Sequence, residues 1–227
     1  MSLWRSARLA WSRRQCRLPI QQETLTARPP TASTGFDELD IVVLDLETTG
    51  LDPRRDQVLS AGWVCVSSGR IELSSAQEVP VRPHGEAGVG QSAIIHGLLD
   101  SDLADACDEL GLLQILLPIL AGRVVAAHAA AIERGFLRAM LHRHGGVALP
   151  NPFIDTMKLE RMLLEGRGER IEERGDALTL ARARARHQLP AHSQHSAGSD
   201  ALACAELLLA QVENLGGHAR VRLRTLV

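Results

Sequence analysis

Two acidic residues stand two positions apart at the end of an apolar run, in which Ile41 to Leu44 is followed by Asp45, Leu46 and Glu47. The run is rich in β-branched residues and ends in a Thr-Thr-Gly turn, so it predicts a buried β-strand. Because side chains alternate along a strand, Asp45 and Glu47 point to the same face. Two such carboxylates repel each other and are costly to bury, whereas a hard divalent cation such as Mg²⁺ holds both in the ionised form. The segment therefore predicts a metal site.

Two further acids lie near the starts of predicted helices. Glu133 shares a helical stripe with Phe136, and Asp200 shares one with Cys204, so both point towards the core. Taken singly, Glu133 also fits a solvated edge or a salt bridge to a neighbouring arginine, and Asp200 also fits a helix cap. Together with the two strand acids they form the ligand set of a two-metal phosphoryl-transfer centre.

Three histidines are candidates for the same site. His195 lies five residues before Asp200 in a Ser/Gly-rich loop, where an imidazole beside metal ligands can act as a general base. His192, in the same loop, is interpreted as a surface residue. His128 precedes the helix of Glu133, and it either lines the site or is a hydrogen-bonded core residue.

The surrounding pattern predicts the elements that position these residues. The predicted strands span residues 41–47, 58–66, 71–81, 123–127 and 153–156, and the predicted helices span 92–99, 103–121, 132–142, 177–189 and 199–214. A Ser-Ser-Gly-Arg turn between the second and third strands is typical of a hairpin. The charged, glycine-punctuated stretch 165–176 predicts a mobile loop or a frayed helix. Three strands followed by alternating helix and strand predict an α/β fold, a mixed five-stranded sheet flanked by helices.

The sequence motifs are similar to those of a known enzyme family. The segment from Asp45 to Leu51 (DLETTGL) resembles the first motif, DxETTGL, of the DEDDh class of 3′–5′ exonucleases, which includes the epsilon proofreading subunit of bacterial DNA polymerase III and ribonuclease T. The segment from His195 to Ala201 resembles the third motif, HxxxxDA. Residues 94–98 (IIHGL) resemble the HGI element of the family, and residues 154–156 (IDT) resemble its DT strand end. The match runs from Asp40 to Val212.

The second motif departs from the family pattern, which reads HNxxFD. Here residues 128–133 read HAAAIE, so Ala129 replaces Asn, Ile132 replaces Phe and Glu133 replaces Asp. Glutamate keeps the carboxylate and adds one methylene, so it could still bind a metal ion or the water on that ion. The lost Asn removes an amide that would fix the loop. The altered second motif is expected to affect the affinity for metal and the catalytic rate.

The resemblance implies a ribonuclease H-like fold and a cofactor of two Mg²⁺ or Mn²⁺ ions. It implies that Asp45, Glu47 and Asp200 hold one ion, that Asp45 and Glu133 hold the second, and that His195 deprotonates the attacking water. The residues implied for binding the substrate are Leu46, Thr48, Thr49, Gly50, His96 and His128. Candidates for backbone contacts are Arg82, Arg134, Arg182, Arg184 and Arg186, although the last three also fit a solvated helix face.

The overall charge limits how a nucleic acid partner is held. The net charge of −2 gives no global basic field, so single-stranded 3′ ends would be bound by a local site or by metals. An inactive or weakly active nucleic-acid-binding module is a second interpretation, because of the altered second motif. A polymerase-associated proofreading subunit is a third. A polymerase or a second copy of the chain stays open as a partner, and no apolar stretch is long enough to predict a membrane partner.

The chain divides into three predicted parts. Residues 1–36 are rich in Arg, Thr and Pro and predict a flexible or loosely docked extension, with a short amphipathic helix or an Arg-rich transit peptide as alternatives. Residues 37–215 form the predicted exonuclease domain, and residues 216–227 form a short basic tail. Four scattered cysteines without metal-ligand spacing indicate reduced thiols and a cytoplasmic location.

Overall fold

A computed structural model describes residues 10–84, 106–169, 176–192 and 196–227, and its centre is one mixed sheet. The strands are β1 (Asp40–Thr48), β2 (Val58–Ser67), β3 (Arg70–Pro80), β4 (Val124–Ala127) and β5 (Phe153–Asp155). Their order is β3-β2-β1-β4-β5. β2 runs antiparallel to both β1 and β3, whereas β4 is parallel to β1 and β5 is parallel to β4. The predicted mixed five-stranded sheet is confirmed.

Helices pack on both faces of this sheet. They are α1 (Pro19–Thr24), α2 (Glu109–Leu120), α3 (Ala131–Arg143), α4 (Thr156–Gly166), α5 (Leu180–Arg186), α6 (Ala197–Asn214) and α7 (Leu223–Leu226), with one 3₁₀-helix at Phe36–Glu38. The predicted helices 132–142 and 199–214 are confirmed as α3 and α6. The predicted helix 92–99 and the start of 103–121 lie outside the described residues. Among the described helices, none combines the length and the apolar character that a membrane span requires.

Alternation along β1 divides the interior into two cores. Val42 and Leu44 face the core that contains α2 and α3, whereas Ile41 and Val43 face the core that contains α6. β1 therefore has its apolar residues covered on both faces, as expected for the centre of an α/β sheet. The acids at its end stand where the two cores meet the surface.

The segment before the first strand is more firmly packed than the sequence predicted. Cys16, Leu18 and Leu25 are buried in the core beside α2 and α3. The fully buried Gln21 accepts a hydrogen bond from the backbone N–H of Val147 at 2.8 Å and donates one to its carbonyl at 2.5 Å. The prediction of a flexible or loosely docked extension is wrong for this stretch. Its polar residues are satisfied by tertiary partners, which composition alone does not show.

The carboxyl-terminal tail is also part of the folded body. The backbone N–H of Phe36 donates to the carbonyl of Val221 at 3.0 Å, and that of Leu223 donates to Thr34 at 3.0 Å. Val221, Leu223 and Leu226 are buried against the core of α6. The segments on either side of the central domain therefore support each other.

Candidate active site

Three carboxylates from β1 and α6 converge at the end of the sheet. Asp45 and Glu47 lie on the face of β1 that meets α6, as the two-residue period predicts, and Asp200 lies in the first turn of α6. Ligand oxygens of Asp45, Glu47 and Asp200 all lie within 4.8 Å of one another, and the three residues are half-buried. Oxygen ligands at this spacing suit a hard divalent cation.

A glycine in β2 allows α6 to come this close. A Cβ atom on Gly62 would lie 2.0 Å from the carbonyl carbon of Ala197 and 2.2 Å from the nitrogen of Gly198. These are backbone atoms, which cannot move aside like the end of a flexible side chain. Gly62 pairs with Asp45 in the β1–β2 ladder, so the contact sets the start of α6 directly beside the acid.

Glu78 on the edge strand β3 caps the same helix from outside. Its Oε2 accepts a hydrogen bond from Ser196 Oγ at 2.6 Å and another from the backbone N–H of Gly198 at 3.1 Å. A carboxylate at a helix N-terminus satisfies donors that have no partner within the helix and interacts favourably with the helix dipole. Neither Glu78 nor Gly62 was predicted as a site residue, because their partners are distant in the chain.

Glu133 approaches the cluster from the other core. It lies in the first turn of α3, is 3% exposed, and its Oε2 has no hydrogen-bond partner among the described residues. Burial raises the pKa of Glu133 well above its usual range, a backbone hydrogen bond opposes that shift, and the charges of Asp45 and Asp155 reinforce it. A buried carboxylate oxygen without a donor fits a cation or its bound water, so Glu133 fits the ligand set that the sequence predicted.

The pKa of Asp45 is raised, like that of Glu133. Burial of its carboxyl group raises its pKa well above the usual range, and the charges of Glu47, Asp200 and Glu78 raise it further. Like charges close together disfavour ionisation unless a cation compensates them. The set of acids therefore has the chemistry of a divalent metal site.

His192 contacts the cluster, which the sequence analysis did not expect. Its Nε2 lies 2.8 Å from Oδ1 of Asp200, and its side chain is only 11% exposed. The interpretation of His192 as a surface residue is therefore wrong. His195, the predicted general base, lies outside the described residues.

His128 lies beside Asp45 and Asp200 but has both ring nitrogens engaged. Its Nε2 lies 2.8 Å from the carbonyl of Leu178 and its Nδ1 lies 2.9 Å from Oγ1 of Thr156. Since a carbonyl only accepts, Nε2 carries the proton and Nδ1 accepts from Thr156 in the neutral ring. Burial lowers the pKa of His128, while the Leu178 bond and nearby carboxylates oppose that shift. His128 was predicted either to line the site or to be a hydrogen-bonded core residue. These contacts fit the hydrogen-bonded role, and the residue also borders the site.

The turn that carries His128 into α3 is strained. Ala129 has a φ of 67°, a left-handed conformation that alanine rarely adopts. Its backbone N–H donates to Oδ1 of Asp155 at 3.2 Å, and the same oxygen caps α4 through Met157 at 3.1 Å. Asp155 thus joins the end of β5 to the loop that leads to Glu133. The Asn of the family motif would fall at Ala129, where a left-handed residue is needed.

The loop after β1 is held by local contacts. Oγ1 of Thr48 donates to the carbonyl of Gly50 at 2.7 Å, and a Cβ on Gly50 would lie 2.5 Å from Oδ2 of Asp56. Leu46 packs in the core of α3, so its side chain points away from Asp45 and Glu47 and leaves its backbone as the group nearest the site. The predicted contact of the Leu46 side chain with a nucleotide does not fit this burial. His96 lies outside the described residues.

A cleft of about 480 Å³ opens beside the acids. Its wall comes from β1, the loop before α3, the region around α5 and the start of α6. The lining residues are Asp45, His128, Asp176, Thr179, Leu180, Ala181, Arg182, His192 and Asp200. Carboxylates, imidazoles and one guanidinium face this volume, a polar lining suited to a charged ligand.

Most of the arginines in the RARAR run of α5 have structural partners. Arg184 is buried and binds the carbonyl of Ala203 at 2.6 Å and Glu206 at 2.7 Å. Arg186 binds the buried Glu160 at 3.3 Å, and Arg182 pairs with the exposed Asp176 at 3.2 Å. Arg184 and Arg186 therefore stabilise the fold, whereas Arg182 is exposed beside the cleft and a backbone contact by it stays a prediction.

The chain is similar to known nucleases and polymerases. The family model described as Exonuclease, RNase T, matches residues 42–208. A DNA polymerase III of PolC type from Thermotoga petrophila is 29% identical over 180 residues, which make up 79% of this chain and 12% of the relative. A DNA polymerase III subunit epsilon-like protein from Rhodobacter capsulatus is 29% identical over 179 residues, which make up 78% of this chain and 24% of the relative. The chain spans about a quarter or less of the length of these relatives.

A solved structure shares the fold. Escherichia coli Exonuclease I in complex with a dT13 oligonucleotide matches with a TM-score of 0.64 and 13% sequence identity, over 78% of this chain and 41% of that one. At this identity the likeness concerns the fold, which is ribonuclease H-like as the sequence motifs implied. In this chain Asp45, Glu47 and Asp200 lie together beside the sheet, and Glu133 is near enough for the charge of Asp45 to act on it.

Proposed function

Because this chain belongs to the RNase T family of exonucleases, we propose that it is a metal-dependent 3′–5′ exonuclease that releases nucleoside 5′-monophosphates from single-stranded DNA or RNA ends. The observation that supports this most directly is the convergence of Asp45, Glu47 and Asp200 within 4.8 Å. The buried, unpartnered oxygen of Glu133 beside them supports it further. A protein that only bound nucleic acid would gain nothing from carboxylates that repel phosphate.

The carboxylates have separate roles in this proposal. Asp45, Glu47 and Asp200 would hold one Mg²⁺ or Mn²⁺ ion, and Asp45 together with Glu133 would hold a second. When bound, the ions neutralise charge on the scissile phosphate and lower the pKa of the attacking water. The water oxygen forms a bond to phosphorus as the bond from phosphorus to the 3′ oxygen breaks. The 3′ oxygen takes up a proton from solvent, and the phosphate leaves with the released nucleotide.

The two histidines before α6 have different roles, one as a general base and one in positioning a ligand. His195 takes the proton of the attacking water, as the HxxxxDA motif implies. His192 donates its Nε2 proton to Oδ1 of Asp200 and so orients the carboxylate, since ligands of a metal are usually held by a second layer of hydrogen bonds. Substitution of His195 by Gln should therefore remove activity over the whole pH range, whereas His192→Gln keeps a donor and should retain most of it.

A polymerase-associated proofreading role is the second candidate. It is motivated by the two relatives, whose names are those of a PolC-type polymerase and an epsilon-like protein. The site chemistry is the same in both cases, and only the partner differs. Retention of the full-length chain by an immobilised replicative polymerase would distinguish the two.

The direct test is a gel assay with a 5′-labelled single-stranded oligonucleotide, DNA and RNA side by side, in Mg²⁺, Mn²⁺ or EDTA. We expect a ladder that shortens from the 3′ end in the presence of metal and an intact strand in EDTA. Asp200→Asn is the matched variant, because it removes one charge and keeps the shape of the side chain. An intact strand in every lane, with binding that survives EDTA, would instead support the binding module.

A further inference from the structure

The helix that carries Glu133, α3, also carries two exposed arginines. Arg134 follows Glu133 in sequence, and Arg138 lies one turn further along the helix; both are exposed. Residues four apart share a helical face, about 6 Å apart along the axis. The helix that presents a buried carboxylate to the metal site therefore presents a row of positive charge to solvent.

These two arginines are available in a way that those of α5 are not. Within the described part of the chain, Arg134 and Arg138 have no carboxylate at ion-pairing distance, whereas Arg184 and Arg186 have buried or structural partners. The Arg134 guanidinium lies 6.0 Å from the centre of the Phe153 ring, a contact that favours one orientation of the planar group. Arg182 lines the cleft but pairs with Asp176 at 3.2 Å, so Arg134 and Arg138 are the arginines of α3 and α5 that have no such pair among the described residues.

The loop after β1 adds a third charge. A Cβ on Gly135 would lie 2.9 Å from Cγ of Pro53, so this loop rests against the first half of α3. The next residue, Arg54, is exposed. Its neighbour Arg55 pairs with Asp52 at 3.8 Å.

The packed amino-terminal segment adds a fourth charge at the far end of α3. The backbone N–H of Arg17 donates to the carbonyl of Gly145 at 2.8 Å, just beyond the last turn of the helix. Arg17 is exposed, while Cys16 next to it is buried. From Arg134 to this point the helix rises by roughly 16 Å, enough for a few nucleotides of an extended strand.

We propose that Arg54, Arg134, Arg138 and Arg17, here named the α3 arginine track, bind the phosphodiester backbone of the strand upstream of the bond that is cut. The proposal rests on the proposed exonuclease function, with the 3′ end at the acids and the 5′ portion along α3. It would explain how a chain of net charge −2 attracts a polyanion, since four exposed arginines on or beside α3 would offer local positive charge. It also gives the amino-terminal segment a task at that surface.

The experiment compares two substrates in the full-length protein. A p-nitrophenyl ester of thymidine 5′-monophosphate carries one phosphate and occupies the acidic site alone, whereas a 12-nucleotide single strand also reaches the track. For the double variant Arg134→Gln/Arg138→Gln we expect kcat/KM on the strand to fall by about tenfold, and by several-fold more than on the ester. The slope of log Kd against log salt, from fluorescence anisotropy of the labelled strand, should decrease by about 0.7 for each arginine removed.

A matched control uses the other face of the sheet. Arg220 and Arg224 are also exposed and belong to the carboxyl-terminal tail, so Arg220→Gln/Arg224→Gln makes the same change in net charge. We expect it to leave both substrates and the salt slope unchanged. Arg17→Gln should weaken activity on the 12-nucleotide strand and spare a trinucleotide, because the shorter strand ends before the far end of α3.

The outcomes separate the two proposals. If the wild-type protein cleaves neither substrate with any metal, the exonuclease function fails, and the anisotropy measurements still decide whether the track binds a strand. If the ester is cleaved but the track and control variants have equal effects on strand activity and on the salt slope, the track is disproved. Equal loss of ester and strand activity in the track variant would also overturn it.

Discussion

Asp45 at the end of β1 and the buried Glu160 of α4 are both carboxylates removed from water, but their surroundings shift their pKa values in opposite directions. Glu160 is 1% exposed. It accepts hydrogen bonds from His187 Nε2 at 2.8 Å and from Gln211 Nε2 at 3.1 Å. Burial alone would raise its pKa, but these hydrogen bonds and the charges of His187 and Arg186 outweigh burial and lower it. Asp45 is surrounded by other acids, and its pKa rises.

The difference separates a structural carboxylate from one held for a ligand. The protein supplies Glu160 with donors and positive charge, so its ionised form belongs to the folded state. It supplies Asp45 with like charges and leaves Oε2 of Glu133 without a donor among the described residues. Unfavourable electrostatics of this kind is typical of functional sites.

The comparison is tested most strongly by removing a charge from the acidic site. Asp45→Asn should lower kcat by at least about a thousandfold, as expected for loss of an essential group. In EDTA the same variant should unfold at a higher temperature than the wild type, because one repulsive charge is gone. Activity with the p-nitrophenyl ester and thermal unfolding in EDTA measure the two effects.

A carboxylate of the same cleft provides the control. Asp176 lines the cleft but is exposed and pairs with Arg182, so Asp176→Asn should keep activity within a few-fold of wild type. If Asp45→Asn retained activity at the level of Asp176→Asn, the assignment of Asp45 as a metal ligand would be wrong.

The converse experiment removes the charge of Glu160. Glu160→Gln should destabilise the fold by about 3 kcal/mol, because it leaves the nearly buried His187 and the partly buried Arg186 without their acid. Activity of the folded fraction should change much less than in Asp45→Asn. Urea unfolding at neutral pH measures the loss.

An exposed acid on α6 serves as its reference. Glu213→Gln removes a carboxylate that is 63% exposed, so the free energy of unfolding should change by less than about 0.5 kcal/mol. Equal midpoints for the Glu160 and Glu213 variants would mean that the Glu160 cluster contributes nothing net to stability.

The pH dependence of stability should have opposite signs in the two regions. For Asp45 and Glu133, whose pKa is raised, the unfolded chain ionises first as pH rises, so in EDTA the folded state binds more protons and loses stability through that range. For Glu160, whose pKa is lowered, stability is present above the ordinary carboxyl pKa and is lost as pH falls through the lowered value.

Urea unfolding in EDTA over a series of pH values measures both contributions. The double variant Asp45→Asn/Glu133→Gln should lose the decline in stability on the alkaline side of the ordinary carboxyl range and keep the loss on the acid side. A profile identical to that of the wild type would show that neither acid is perturbed in the metal-free protein.

The smallest expected effect concerns the turn that leads to Glu133. Ala129→Asn should stabilise the protein by about 1 kcal/mol, since asparagine tolerates the left-handed conformation that alanine holds there. Thermal unfolding measures the gain. Ala131→Asn, on an exposed residue at the start of α3, is the control and should not stabilise; an equal gain there would remove strain at Ala129 as the explanation.

Local periodicity made the sheet and most of the acidic site predictable. The two-residue period of β1 fixed the common face of Asp45 and Glu47, and helical stripes placed Glu133 and Asp200 inward. Helix α4 was not predicted. Its amphipathic pattern follows directly on the short strand β5 and runs into the charged, glycine-rich stretch after Gly166, so strand, helix and loop are not separated by a change in composition.

The parts that could not be predicted depend on contacts between distant segments. Gln21 reads as a polar residue of an extension until Val147 is known to pair with its amide. His192 reads as a surface residue until the loop before α6 brings it to Asp200. In both cases the chemistry is visible in the sequence and the partner is not.

The contact between Gly62 and Ala197 has a consequence for tolerance to mutation. A residue with no side chain sits in the middle of β2, and even one methyl group would meet the backbone of α6 at 2.0 Å. Any substitution there shifts the helix that carries Asp200, although it alters no group that binds metal or substrate. In a library of single substitutions selected for nuclease activity, Gly62 should be depleted as severely as the acids themselves, and its variants should be recognisable as soluble proteins that no longer bind metal.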